Sequence, residues 1–81
     1  MEIFPNPVQQ ILNIQLNTAK QEKYQLSILD MAGKEVMLVK YNLPMGKNLL
    51  LLPIDNLSSG TYLFVLQNAA GERETKKFVK N

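Results

Sequence analysis

The sequence predicts a small all-β domain, an antiparallel immunoglobulin-like β-sandwich of about six or seven strands. Three observations carry that expectation. Short runs alternate apolar and polar residues with a period of two. Turn-forming clusters of Gly, Pro, Asn and Asp interrupt these runs at close spacing. One stretch, Leu57-Ser58-Ser59-Gly60-Thr61-Tyr62-Leu63-Phe64-Val65-Leu66, supplies a centre for the rest. Tyr62, Phe64 and Leu66 fall on one face of that strand and Leu63 and Val65 on the other. Two apolar faces predict a strand in the middle of a sheet, covered on both sides.

Taken in order, Phe4-Pro5-Asn6-Pro7 is a stiff entry, because each proline fixes its own φ and holds the preceding residue out of the α region. Ile11 to Leu16 follows as a strand with Leu12, Ile14 and Leu16 inward and Asn13 and Gln15 outward. Asn17 to Lys23 is polar and reads as a loop. Tyr24 to Leu29 is the next strand, and Asp30-Met31-Ala32-Gly33-Lys34 is a hairpin loop with Gly33 in a left-handed conformation. Glu35 to Tyr41 returns, with Val36 and Leu38 on one face and Met37, Val39 and Tyr41 on the other.

Leu49-Leu50-Leu51-Leu52 favours helix by propensity. The run makes barely one turn between Gly46 and Pro53, so strand is the reading. Pro53 cannot donate to a ladder, which places that end at a sheet edge or a strand terminus. Leu50, Leu52 and Ile54 then share the inward face, with Leu57 closing the core below them. A Ser-Ser-Gly turn with positive φ at Gly60 leads into the central strand. Asn68-Ala69-Ala70-Gly71-Glu72 is a further hairpin turn, and Arg73 to Lys80 is the last strand. Lysines along it suit an exposed edge with unpaired backbone groups, which suggests strand-mediated self-association.

Eighty-one residues, 46% hydrophobic and 20% charged, form one domain with one modest core. The chain has no cysteine, hence no disulfide and no thiolate metal site. No apolar run approaches the ~18 residues of a transmembrane segment. Met1-Glu2-Ile3-Phe4-Pro5 lacks the basic start and apolar stretch of a signal peptide and reads as a chain begun mid-protein, one domain excised from a larger one. A net charge of +2 and the few cations of the C-terminal run argue against a nucleic-acid partner.

Without histidine or cysteine the usual general base and thiol nucleophile are missing, and Ser58 and Ser59 have no histidine to activate them. No catalytic residue, cofactor site or metal site is assigned. Asp30 and Asp55 are the two aspartates. They suit turn-forming Asx side chains better than a calcium site, which takes about six or more oxygens.

The motifs go further than the periodicities. Phe4-Pro5-Asn6-Pro7, Leu12-Asn13-Ile14, the block Leu26-Ser27-Ile28-Leu29-Asp30-Met31-Ala32-Gly33-Lys34-Glu35-Val36, Gly46 with the leucines after it, Ile54-Asp55-Asn56-Leu57-Ser58-Ser59-Gly60-Thr61-Tyr62, and the basic-apolar ending Lys76-Lys77-Phe78-Val79-Lys80 follow one another over essentially the whole chain. In that order they resemble the type A C-terminal sorting domain of the type IX (Por) secretion system of Bacteroidota. The uniformly apolar Leu49 to Leu52 departs from the family's usual alternation.

The resemblance implies a secretion signal rather than an enzyme. Such a domain follows a cargo that transits the periplasm and ends at the cell surface or outside the cell. It addresses that cargo to the outer-membrane translocon, and a sortase-like surface protease typically removes it. By the same resemblance, partner recognition falls to Pro5, Asn6, Pro7, Gly33, Gly60 and Tyr62, and to Lys76, Lys77, Phe78, Val79 and Lys80. Gly33, Gly60 and Tyr62 also have folding reasons to be where they are. The alternative is an immunoglobulin- or fibronectin-like accessory domain for carbohydrate binding or adhesion, which calls for an exposed aromatic cluster.

Overall fold

A computed structural model describes residues 1–81. It contains seven strands and no helix: β1 (Glu2–Phe4), β2 (Ile11–Thr18), β3 (Glu22–Asp30), β4 (Glu35–Leu43), β5 (Gly46–Pro53), β6 (Gly60–Asn68) and β7 (Arg73–Lys80). They form two antiparallel sheets, one ordered β1-β2-β5 and the other β4-β3-β6-β7. That is the strand order of an immunoglobulin-like sandwich, drawn out to 35 × 22 × 17 Å.

The inward residues of each strand meet between the sheets. Leu12, Ile14, Leu16 and Leu52 come from the small sheet, and Leu26, Ile28, Leu43, Tyr62, Phe64, Leu66 and Phe78 from the large one. Val8 and Ile54 fill the gap from connecting segments. The alternation in β2 is as read from the sequence, and Leu50, Leu52 and Ile54 face inward with Leu57 half-buried beneath them. β5 is an edge strand, and Pro53 ends it.

Two expectations need correction. β6 is central in its sheet, but its outer face has no second layer: Leu63 and Val65 are only half-buried. Their cover comes from side neighbours, with Leu63 paired to Leu29 and Lys77, and Val65 to Ser27 and Thr75. The segment read as a loop from Asn17 is also shorter, because β2 runs on to Thr18. Thr18 is buried and donates its hydroxyl to the Pro44 carbonyl at 2.6 Å.

The hairpins are built by side chains that substitute for backbone. The Asp30 carboxylate accepts the N–H groups of Ala32 and Lys34, each at 2.9 Å, and Gly33 turns the chain with φ +87°. Asn68 repeats the device, its Oδ1 accepting from Ala70 at 3.1 Å and Glu72 at 2.9 Å, with Gly71 at φ +88°. Both are Asx-type turns completed by a left-handed glycine. Gly60 also has positive φ, but at +157° it lies near extended backbone rather than in a tight left-handed turn.

Candidate recognition site

The entry segment does more than stiffen the chain. β1 pairs with β2 in the small sheet. After Phe4-Pro5-Asn6-Pro7, with both X-Pro bonds cis, Val8 stands beside Lys80 in a parallel bridge to the large sheet. The kink therefore carries the chain from one sheet to the other. Prolines suit this position because neither has an N–H that a ladder would need.

Three hydrogen bonds hold the crossing. Val8 N–H donates to the Val79 carbonyl at 2.8 Å, and Asn81 N–H donates to the Val8 carbonyl at 2.9 Å. Val79 N–H donates to the side-chain Oδ1 of Asn6 at 2.9 Å, across 73 positions of sequence. The Val8 side chain is fully buried and caps the core beneath them. Asn6 therefore takes the place of a neighbouring strand for one residue of β7. The two motifs at opposite ends of the sequence form one surface.

Strand register gathers most of the other sequence-selected residues at the same end of the sandwich. Tyr62 is opposite Asp30, Gly60 is opposite Lys80, and Lys80 is beside Val8. The Gly33 hairpin lies there too, since it joins the end of β3 to the start of β4. Lys76 and Lys77 lie farther along β7, opposite Phe64 and Leu63.

Their surroundings separate surface from scaffold. Pro5, Asn6, Pro7, Gly33, Lys77 and Val79 are exposed, while Lys76 and Lys80 are half-buried. Phe78 is fully buried. Tyr62 is buried as well, stacked on Phe78 with ring centroids 5.7 Å apart. Its hydroxyl donates to the Ser58 carbonyl at 2.6 Å, four residues upstream. That bond near the start of β6 is a tyrosine corner, a device that fixes the connection between the two sheets. Tyr62 and Phe78 thus support the surface from beneath. None of the three lysines is paired with a carboxylate, and Lys80 Nζ reaches only the Asn81 carbonyl, at 3.1 Å.

The last strand is less open than its lysines suggest. Val79 turns its backbone groups away from β6, and Asn6 and Val8 occupy them. By alternation, Thr75 and Lys77 direct theirs to the same side, where no backbone partner meets them. The edge is closed at its C-terminal end and open along its middle. Val8 and Asn81 were missed in the sequence reading. Their one signal was the spacing of Val8 just past the second proline, which does not reveal a partner so distant in the chain.

The opposite end of the sandwich holds the largest surface groove, about 520 Å³, lined by Tyr24, Tyr41, Lys23 and Lys40 among others. Burial raises the Tyr41 hydroxyl pKa above the ordinary value. Burial, followed by the adjacent Glu22 carboxylate, does the same for Tyr24. The two rings are half-buried and paired across β3 and β4, so they belong as much to the core's rim as to a binding face.

No curated protein matches the chain. The family described as the secretion system C-terminal sorting domain matches residues 2–81, from the first strand through the Pro5-Asn6-Pro7 crossing and the tyrosine corner to Asn81. With the match spanning both sheets from the first strand to the last, the chain belongs to the C-terminal sorting domains of the type IX secretion system.

Proposed function

We propose that the export machinery reads this domain at the end of the sandwich where Pro5-Asn6-Pro7 meets Val79-Lys80, and along the neighbouring lysines of β7. As a member of its family the domain is a C-terminal sorting signal, and its cargo is a secreted protein exported to the cell surface or beyond. The finer reading is a non-catalytic signal that follows its cargo through the periplasm, engages the outer-membrane translocon and is cut off by a sortase-like surface protease. On that reading, residues 1–81 are one domain of a larger protein.

One observation carries the location: Val79 N–H on Asn6 Oδ1, 2.9 Å, which joins the two terminal motifs into a single exposed patch. Exposed backbone, unpaired cations and a rigid kink together offer a partner both charge and shape. Gly33 and Gly60 contribute through the turns they allow, and Tyr62 and Phe78 through the scaffold. The carbohydrate-binding alternative is less well supported, since Tyr62, Phe64 and Phe78 are core residues and Tyr24 and Tyr41 are half-buried at the core's rim.

The test fuses the domain behind a periplasm-directed reporter in a type IX-competent bacterium. Export of the reporter by the intact domain is expected. Changing Lys76, Lys77 and Lys80 to glutamine keeps the strand and removes its charge, so loss of export with an unchanged melting curve supports direct reading of the lysines. Retained export removes the lysines from the recognition surface. An intact domain that exports nothing in that host refutes the proposal.

A further inference from the structure

Four strand edges border the two sheets, and they are unequally protected. β1 spans three residues. β7 has Asn6 and Val8 bonded near its end, with Arg73 and Lys77 along the remainder. β4 carries Lys40 near its middle, and its pairing with β3 shifts register between Ile28 and Leu29. Short strands, charges, irregular register and covering segments all discourage edge pairing. Between Lys47 and Asp55, where the chain runs Asn48-Leu49-Leu50-Leu51-Leu52-Pro53-Ile54, β5 has none of these, and only Pro53 at its end blunts the edge.

The alternation of β5 is fixed by one bond. Ile54 N–H donates to the Gln10 carbonyl at 2.8 Å, so Leu52, Leu50 and Asn48 also turn their backbone groups to β2. Lys47, Leu49 and Leu51 turn theirs away from the sheet. Pro53, the next residue in that series, has no N–H to leave unpaired. The side chains of Leu49 and Leu51 are 59% and 58% exposed, on an outer face that also carries Ile11 and Phe4 at 46% and 39%. Unpaired backbone and an apolar face are thus combined on one strand whose single charge, Lys47, lies near its start.

We propose that β5 pairs with β5 of a second copy of this chain, antiparallel about a two-fold axis at Leu50. Leu49 of each copy then stands opposite Leu51 of the other, and each such pair exchanges both of its backbone hydrogen bonds. The three-stranded sheets join edge to edge, and the exposed leucines of the two copies cover one another. The occupant is a second copy because the edge is self-complementary in this register. Its one charged residue, Lys47, falls opposite Pro53 instead of another lysine, and the proline's missing donor falls at the periphery. An isologous contact of this kind closes on itself and stops at two.

Sedimentation from micromolar to millimolar concentration tests this, together with concentration-dependent shifts of backbone amides. The expected result is a monomer–dimer equilibrium with shifts centred on Leu49 and Leu51. Leu51→Lys, at an exposed position, is expected to raise the concentration for half-dimerisation by about tenfold or more, and Thr75→Lys on the β7 edge to leave it unchanged. Leu49→Lys gives the same reading if Leu51→Lys does not fold. A strict monomer at millimolar concentration overturns the proposal. So does a dimer that survives both leucine substitutions, or one whose shifts map to Thr75 and Lys77.

Discussion

Asn6→Ala is the sharpest probe of how the two ends of the chain are joined. The substitution removes one accepting oxygen, 2.9 Å from Val79 N–H, and leaves the flanking prolines in place. A net protein hydrogen bond contributes about 0.5–1.5 kcal/mol, and a buried donor left bare costs more. Here the bond is exposed, so water can reach the freed N–H, and the loss is expected near the middle of that range, about 1 kcal/mol. For a domain of this length that corresponds to a fall in Tm of roughly 4–8 °C. Asn6→Asp keeps an acceptor at the same place and should lose much less. Thermal melts give the global effect, and amide exchange gives the local one, with Val79 N–H accelerated in Asn6→Ala. Equal melting temperatures and unchanged Val79 exchange would refute the role given to this side chain.

Three further outcomes follow from the same geometry. Gly33→Val forces a β-branched residue to φ +87° and is expected to cost over ~1 kcal/mol; Gly60→Val, at +157°, should cost less, and matched urea midpoints would contradict the distinction. Tyr62→Phe keeps the stack on Phe78 but leaves the Ser58 carbonyl without its 2.6 Å donor, so a loss of about 1 kcal/mol by denaturation is expected, and no loss would deny the corner a stabilising part. Tyr24 and Tyr41 have folded-state pKa values raised by burial above the ordinary tyrosine value of 10.0, so the folded protein holds these protons longer than the unfolded chain. Stability is therefore full below about pH 10 and falls as pH rises through the folded values, and Tyr24→Phe should reduce that alkaline loss in melts across the range.

What could be read in advance was local. Leu12, Ile14 and Leu16 announce their face by period alone, and the Asp30 and Asn68 turns carry the residues that their geometry demands. The leucine run at 49–52 was resolved by its brackets, Gly46 and Pro53, more than by its own composition. Leu63 and Val65 misled because apolarity measures affinity for cover without saying what supplies it; neighbouring strands of the same sheet did so, and no third layer exists. The site was legible residue by residue and illegible as a place. Pro5-Asn6-Pro7 and Lys76 to Lys80 were both singled out, yet a bond spanning 73 positions leaves no periodic trace in either segment.

The crossing of the chain at Pro5-Asn6-Pro7 ties structural completion to synthesis. Within the domain Val8 is made early, and its partners Val79, Lys80 and Asn81 are made some seventy residues later. A chain that stops short of Val79 has neither the donor for Asn6 nor the acceptor for Val8. Every other strand can have found its neighbours by then, but the kink and the buried valine have nothing to close upon. The finished surface therefore exists only on polypeptide translated through its final strand, so a truncated cargo carries no complete copy of it.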